Sequence, residues 1–262
     1  MATAFLSHQH AKIGRFPRKL GVVAVLLVLG IVVWQSGLVT RIPGQYIPDA
    51  IEQHIPTSGT HSSVMLPGAY LYQQQRPLSC EYASATIAAT MGGWDITEYD
   101  FDTVVPLSEN PHKGYRGNIW GEWGNTTDYG IYANPLQIAL SGWGIPSHAF
   151  YADGDPELLK QELAAGRPVV VWLAMQGAVN SFDAYEADGT RYQLTQYMHV
   201  MTAYGYDESG VYLTDPGTAV WRYYDWATFM SMWNVMDGMA LSIEPRTISS
   251  VTDTFEAFIR YR

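Results

Sequence analysis

The sequence predicts an α+β fold in which helices come first and an antiparallel sheet follows. Three observations predict it: a helix with start and stop signals at 80–91, an unbroken apolar run of strand length at 168–175, and two β-rich runs joined by a short polar turn at 207–210. Ahead of these, residues 20–39 read LGVVAVLLVLGIVVWQSGLV, without a charge. About twenty helical residues at 1.5 Å each match a hydrocarbon thickness of about 30 Å, and Trp34 stands near the expected interface. Lys12, Arg15, Arg18 and Lys19 precede the span and Arg41 follows it, so residues 1–19 are expected in the cytoplasm and the body of the chain outside. The competing reading is a cleaved signal peptide and a secreted chain, for which only Trp34–Gly37 offers a weak processing site. Residues 40–65, with Pro43, Pro48, Pro56 and a polar run at 57–63, read as a stalk; residues 66–245 read as one domain and 246–262 as a C-terminal extension.

Within the domain, Ser79 suits a helix cap, Glu81 complements the positive helix start, alanines fill the interior, and Gly92-Gly93 end the helix. Ala83, Ile87 and Met91 lie four apart and form the stripe expected to face a core. Asp155-Pro156 opens a second helix that Gly166 closes. Residues 168–175, PVVVWLAM, suit a central strand buried on both faces. Residues 198–206 and 210–215 form a hairpin, Trp221–Tyr224 another strand, Asp225 caps a helix reaching about Val235, and Met239–Ile243 is the last strand.

Composition excludes several functions. Five of the 15 basic residues precede residue 42, where no acid occurs, so the rest of the chain carries 10 basic against 25 acidic residues, a charge of −15. Such a body is a poor partner for nucleic acid, and no basic stripe offers a footprint. No Walker-type glycine loop is present, so no nucleotide is expected. A single cysteine excludes an intramolecular disulfide framework and multi-cysteine metal sites. The histidines show no His-x-x-x-His spacing, and Asp153-Gly154-Asp155 lacks the remaining ligands of a calcium loop, so neither metal nor cofactor is expected.

The order of elements puts Cys80 at a helix start, His199 on a later strand and Asp215 on the next one. These residue types are a thiol nucleophile, a general base and an orienting acid. A helix N-terminus and a nearby imidazolium both stabilise a thiolate, so the thiol is expected to titrate below its free value of about 8.5. Gln74, six residues upstream, is placed to bind a tetrahedral oxyanion beside the Cys80 backbone N–H. A two-residue turn at Glu208-Ser209 would set Asp215 opposite Thr202, about 10 Å along the strand from His199 and on the wrong face. A bulge or shifted register is therefore required, and Gly210 is the expected place for it. The aromatic, glycine-rich segment 115–132 supplies Tyr115, Trp120, Trp123 and Tyr129, which either line a substrate cleft or simply pack the loop.

Gln74, Leu78-Ser79-Cys80-Glu81-Tyr82-Ala83, Gly114-Tyr115-Arg116-Gly117, Tyr129-Gly130-Ile131-Tyr132, the run from Leu163 to Trp172, His199-Val200 and Asp215-Pro216 together resemble the papain-like double-glycine (bacteriocin-processing) peptidase family, and more narrowly its stand-alone branch. The resemblance covers about residues 66–243. It implies a papain-like fold with Cys80, His199 and Asp215 as the catalytic triad, Gln74 in the oxyanion hole, and a peptide or protein substrate. Many relatives have Gly after the catalytic Cys where this chain has Glu81, and a carboxylate beside a thiolate raises the thiol pKa. The expectation is thus a membrane-tethered, extracytoplasmic cysteine peptidase. The alternatives are a cell-wall peptide amidase or acyl transferase on the same fold, and a catalytically inactive peptide-binding domain.

Overall fold

The computed structural model describes residues 61–247. The uncharged span 20–39, most of the stalk and the end of the C-terminal extension lie outside the described residues. Among those described, no helix is long and apolar enough to cross a membrane.

One antiparallel sheet organises the molecule. Its strands are β1 (Val64–Met65), β2 (Ser147–Tyr151), β3 (Val169–Ala174), β6 (Met198–Tyr206), β7 (Gly210–Asp215), β8 (Val220–Asp225) and β9 (Met239–Ile243), in the order β2-β9-β3-β6-β7-β8 with β1 beside β6. A separate hairpin, β4 (Ser181–Tyr185) with β5 (Arg191–Thr195), lies between β3 and β6 in the chain. The apolar run at 168–175 is indeed an inner strand: every residue of β3 is buried, because β6 and β9 flank it and helices cover both faces. Val170 and Trp172 join one core with helices α1 (Cys80–Met91) and α2 (Ala133–Gly142). Val169, Val171 and Leu173 join the other core, with α3 (Pro156–Ala164) and α4 (Trp226–Trp233). Alternate side chains of one strand thus feed two cores, as the pleat requires.

Several expectations change. Helices do not simply precede the sheet, because β1 and β2 come before α3, and α4 follows β8. β1 falls at the end of the stretch read as stalk, and its pairing of Val64 with Tyr206 and Met65 with Gly205 makes it part of the sheet. Helix α1 has no single apolar stripe: all residues from Cys80 to Ala89 are buried. Its small side chains let it lie between the sheet and the loop segment 101–132, and Ser84 and Thr202 bind it to β6 through Ser84 Oγ to Val200 O (3.0 Å) and Thr202 Oγ1 to Ser84 O (2.9 Å). Ser79 does not cap with its hydroxyl, which instead donates to Arg76 O and closes the preceding turn. Asp155 and Asp225 do cap, accepting from Glu157 N and Thr228 N.

The register of β6 and β7 decides the site. Tyr206 faces Val211 and Gly205 faces Tyr212, but Ala203 then faces Leu213, so Tyr204 is an extra residue. The bulge is in β6, not at Gly210. It shifts the pairing by one, so that Thr202 faces Thr214 and Asp215 is brought back to the side of His199. The bulged region is where β1 joins, with Leu66 N donating to Tyr204 O at 2.8 Å.

Candidate active site

Cys80, His199 and Asp215 come together. They line one cavity of about 300 Å³ with Gln74, Pro77, Trp123, Met175, Gly217, Thr218 and Arg222. Helix α1 delivers Cys80 at its first residue, β6 delivers His199, and the end of β7 delivers Asp215. The loop before α1 is tied to the turn after β7 by Gln74 N to Pro216 O (2.9 Å) and by Gln73 Nε2 to Gly217 O (2.8 Å).

His199 Nε2 is 2.7 Å from Asp215 Oδ1, which leaves Nδ1 as the ring nitrogen available for proton transfer. Asp215 is held on both oxygens. Oδ1 also accepts from Gly217 N at 2.9 Å, and Oδ2 accepts from Thr218 Oγ1 at 2.9 Å and from Arg222 Nε and Nη2 at 3.0 and 2.9 Å. Burial opposes its charge, but His199, Thr218 and Arg222 outweigh burial and hold the carboxyl far below the usual carboxylate range. The carboxylate thereby holds the imidazole in a fixed orientation. Gly217 packs so close that a Cβ would come within 3.0 Å of His199 Cε1.

Gln74 is in the cavity wall, but its amide nitrogen is engaged. Nε2 donates to Arg76 O (2.9 Å) and Pro77 O (2.8 Å), while Oε1 is buried without a partner. Of the four aromatic candidates, only Trp123 lines the cavity. Its Nε1 donates to Met198 O at 2.7 Å, and its ring meets His199 edge to face at 6.3 Å. Tyr115 and Tyr129 are core residues instead, with hydroxyls bound to Leu78 O and Tyr132 OH, and Trp120 is exposed outside the cavity wall. Arg222, Thr218 and Met175 were not among the candidates, and no local pattern marks them; Arg222 is simply one polar position of an edge strand.

The electrostatics of Cys80 reverse the expectation of a depressed thiol pKa. Burial pushes the Cys80 thiol well up, and the charge of Glu81 and its hydrogen bond add to this; the backbone amides of Val200 and Glu81 only partly offset them. Glu81 does not face solvent from the first helical turn. It is fully buried, and Cys80 Sγ donates to its Oε2 at 3.3 Å, while Oε1 accepts from Ile131 N at 3.0 Å. Burial pushes its own carboxyl up to about 7.

Residues 67–241 match the model of the Peptidase_C39 like family. The protein YvpB of Bacillus subtilis (strain 168), itself uncharacterized, is 24% identical over 173 residues, covering 63% of this chain and 68% of that protein. A crystal structure provisionally described as a C39-like peptidase from Bacillus anthracis is 22% identical, has a TM-score of 0.58, and matches 71% of this chain and 98% of its own. That likeness extends to the fold: helices packed on an antiparallel sheet. With the family model spanning residues 67–241, from just after β1 into β9, the chain belongs to the Peptidase_C39 like family and is a cysteine-type peptidase.

Proposed function

We propose that this protein hydrolyses peptide bonds through Cys80, His199 and Asp215, and that it does so outside the cytoplasm, anchored to the membrane by residues 20–39. The observation that supports the reading best is the meeting of thiol, imidazole and carboxylate at one cavity, with Nε2 of His199 turned to Asp215. In this mechanism His199 takes the Cys80 proton at Nδ1, and the thiolate attacks the carbonyl carbon of the scissile bond. The tetrahedral oxyanion collapses to a thioester as His199 returns the proton to the leaving amine. Water, deprotonated by His199, then releases the acid product. The Cys80 backbone N–H and the positive end of α1 favour the oxyanion. Gln74 serves as the second donor by exchanging one of its carbonyl bonds for it. The cavity is large enough for the residues flanking one scissile bond, which fits a peptide or protein substrate.

A peptidyl electrophile that forms a thioether tests the chemistry. Labelling is expected in the intact protein and lost in both Cys80→Ala and His199→Ala; labelling that ignores His199→Ala would leave a peptide-binding domain with an ordinary thiol. The location has its own test, motivated by the uncharged span behind four cations. Membrane fractions are expected to keep the protein through carbonate extraction while added protease digests the domain from outside. A soluble chain beginning near Ser36 or Gly37 would replace the anchor with a cleaved signal.

A further inference from the structure

Glu81 is a fully buried acid with no ion-pair partner among the described residues. None of the described residues forms an ion pair with it: Arg76 pairs with Glu98 and Asp102, Arg116 with Glu109, and His199 with Asp215. A helix-dipole role would leave the carboxylate at the surface. Here the side chain is turned inward, and its two oxygens are assigned separate partners, Ile131 N and Cys80 Sγ. The loop is shaped to accept it, since a Cβ on Gly130 would come within 1.8 Å of Oε1.

Resting on the triad reading above, we propose that Glu81 is a positioning residue that sets the state of the nucleophile: as a neutral acid it donates a hydrogen bond to Cys80 Sγ and favours the thiolate, and as a carboxylate it accepts the S–H bond and keeps the thiol protonated. No proton leaves Glu81 during turnover; the S–H proton goes to His199 Nδ1, and the Glu81 O–H remains as a donor to the sulfur. The titratable groups facing Glu81 are Cys80 and Tyr82 from α1, and Tyr115, Tyr129 and Tyr132 from the loop segment and the start of α2. These phenols are all pushed upward by burial, with the Glu81 charge among the further causes. They stay neutral across the working range, so among these buried groups Glu81 is the one that changes charge beside the sulfur, in addition to the His199 imidazole of β6 that lines the cavity with Cys80. From β6, Met198 contributes only its methyl group near Gly130. Burial of the carboxyl, which pushes it up to about 7, puts this change at neutral pH: neutral below, ionised above.

Because Cys80 is the sole cysteine, the alkylation rate with iodoacetamide as a function of pH reports on it alone. Glu81→Gln keeps an acceptor for Ile131 N and a donor for the sulfur but removes the charge. It is expected to move the alkylation midpoint down by about one to three units, the usual effect of one adjacent charge. His199→Ala is expected to move it up. A Glu81→Gln profile that stays in place or rises overturns the proposal and leaves the triad reading standing. A His199→Ala profile that stays in place while Glu81→Gln falls removes the triad reading and leaves Glu81 in control of the thiol. Should Glu81→Gln fail to fold, infrared difference spectra of the unaltered protein decide. A protonated carboxyl band that is lost as the pH rises through about 7, and that shifts on alkylation of Cys80, supports the proposal; its absence at acid pH overturns it.

Discussion

Peptide hydrolysis by His199→Ala is expected to fall by about four orders of magnitude relative to the unaltered protein, close to 5 kcal/mol of transition-state stabilisation. The loss is this large because the proposed mechanism gives His199 two jobs. It removes the proton from a thiol that burial and Glu81 push up rather than down, and it returns a proton to the leaving amine. A thiol that were already ionised at neutral pH would lose only the second job. The fold should hardly notice: the carboxylate of Asp215 keeps its bonds to Gly217 N, Thr218 and Arg222 when the imidazole is gone. The measurement is kcat/KM on a fluorogenic peptide, with the melting temperature as control. Activity within tenfold of the unaltered protein, at unchanged melting temperature, would remove His199 from the mechanism.

Gly130→Ala is expected to be the most destabilising small substitution near the site, costing about 3 kcal/mol or more. The backbone there has φ +134, a conformation that L side chains rarely adopt, and an added Cβ would meet Glu81 Oε1 at 1.8 Å and Cδ at 2.9 Å. Neither neighbour can step aside cheaply. Ile131 N holds Oε1, and Gly130 itself exchanges backbone bonds with Arg116 at 2.8 and 3.1 Å. For a body of this size the cost corresponds to a drop of about 6–12 °C in melting temperature. Glu81→Ala clears the space without relieving φ, so the double variant should recover part of the loss, with a coupling of about 1 kcal/mol. Strict additivity in a denaturant-melt cycle would show that Glu81 does not pack against Gly130.

Much of this molecule is legible in one dimension. The strand at 169–174 follows from an apolar run too short for a buried helix and bounded by Gly166 and Pro168. The caps at Asp155 and Asp225 follow from short acceptors placed two or three residues before unpaired amides. The nomination of Cys80, His199 and Asp215 needed only residue types at a helix start and on adjacent strands. Local chemistry decides the strand and the caps, because the interacting groups there are neighbours along the chain.

The remainder depends on contacts between segments far apart in sequence. Helix α2, strand β2 and the β4–β5 hairpin carry mixed periodicity and form because β9, α1 and the loop segment offer them surfaces to cover. Tyr115 and Tyr129 read like cleft aromatics, yet their hydroxyls find buried acceptors, so the core takes them. The bulge at Tyr204 arises where β1 pairs with Gly205 and Tyr206, a partner two residues long that no period reveals. The sign of the thiol shift shows the same division. From the sequence, a helix dipole and a distant histidine favour the Cys80 thiolate and only the adjacent Glu81 opposes them; in the folded chain, burial is the largest cause and joins Glu81 in favouring the thiol. The residue types and their order along the chain come from the sequence alone, whereas the dielectric around each charge and the register that brings them together exist only once the segments have packed.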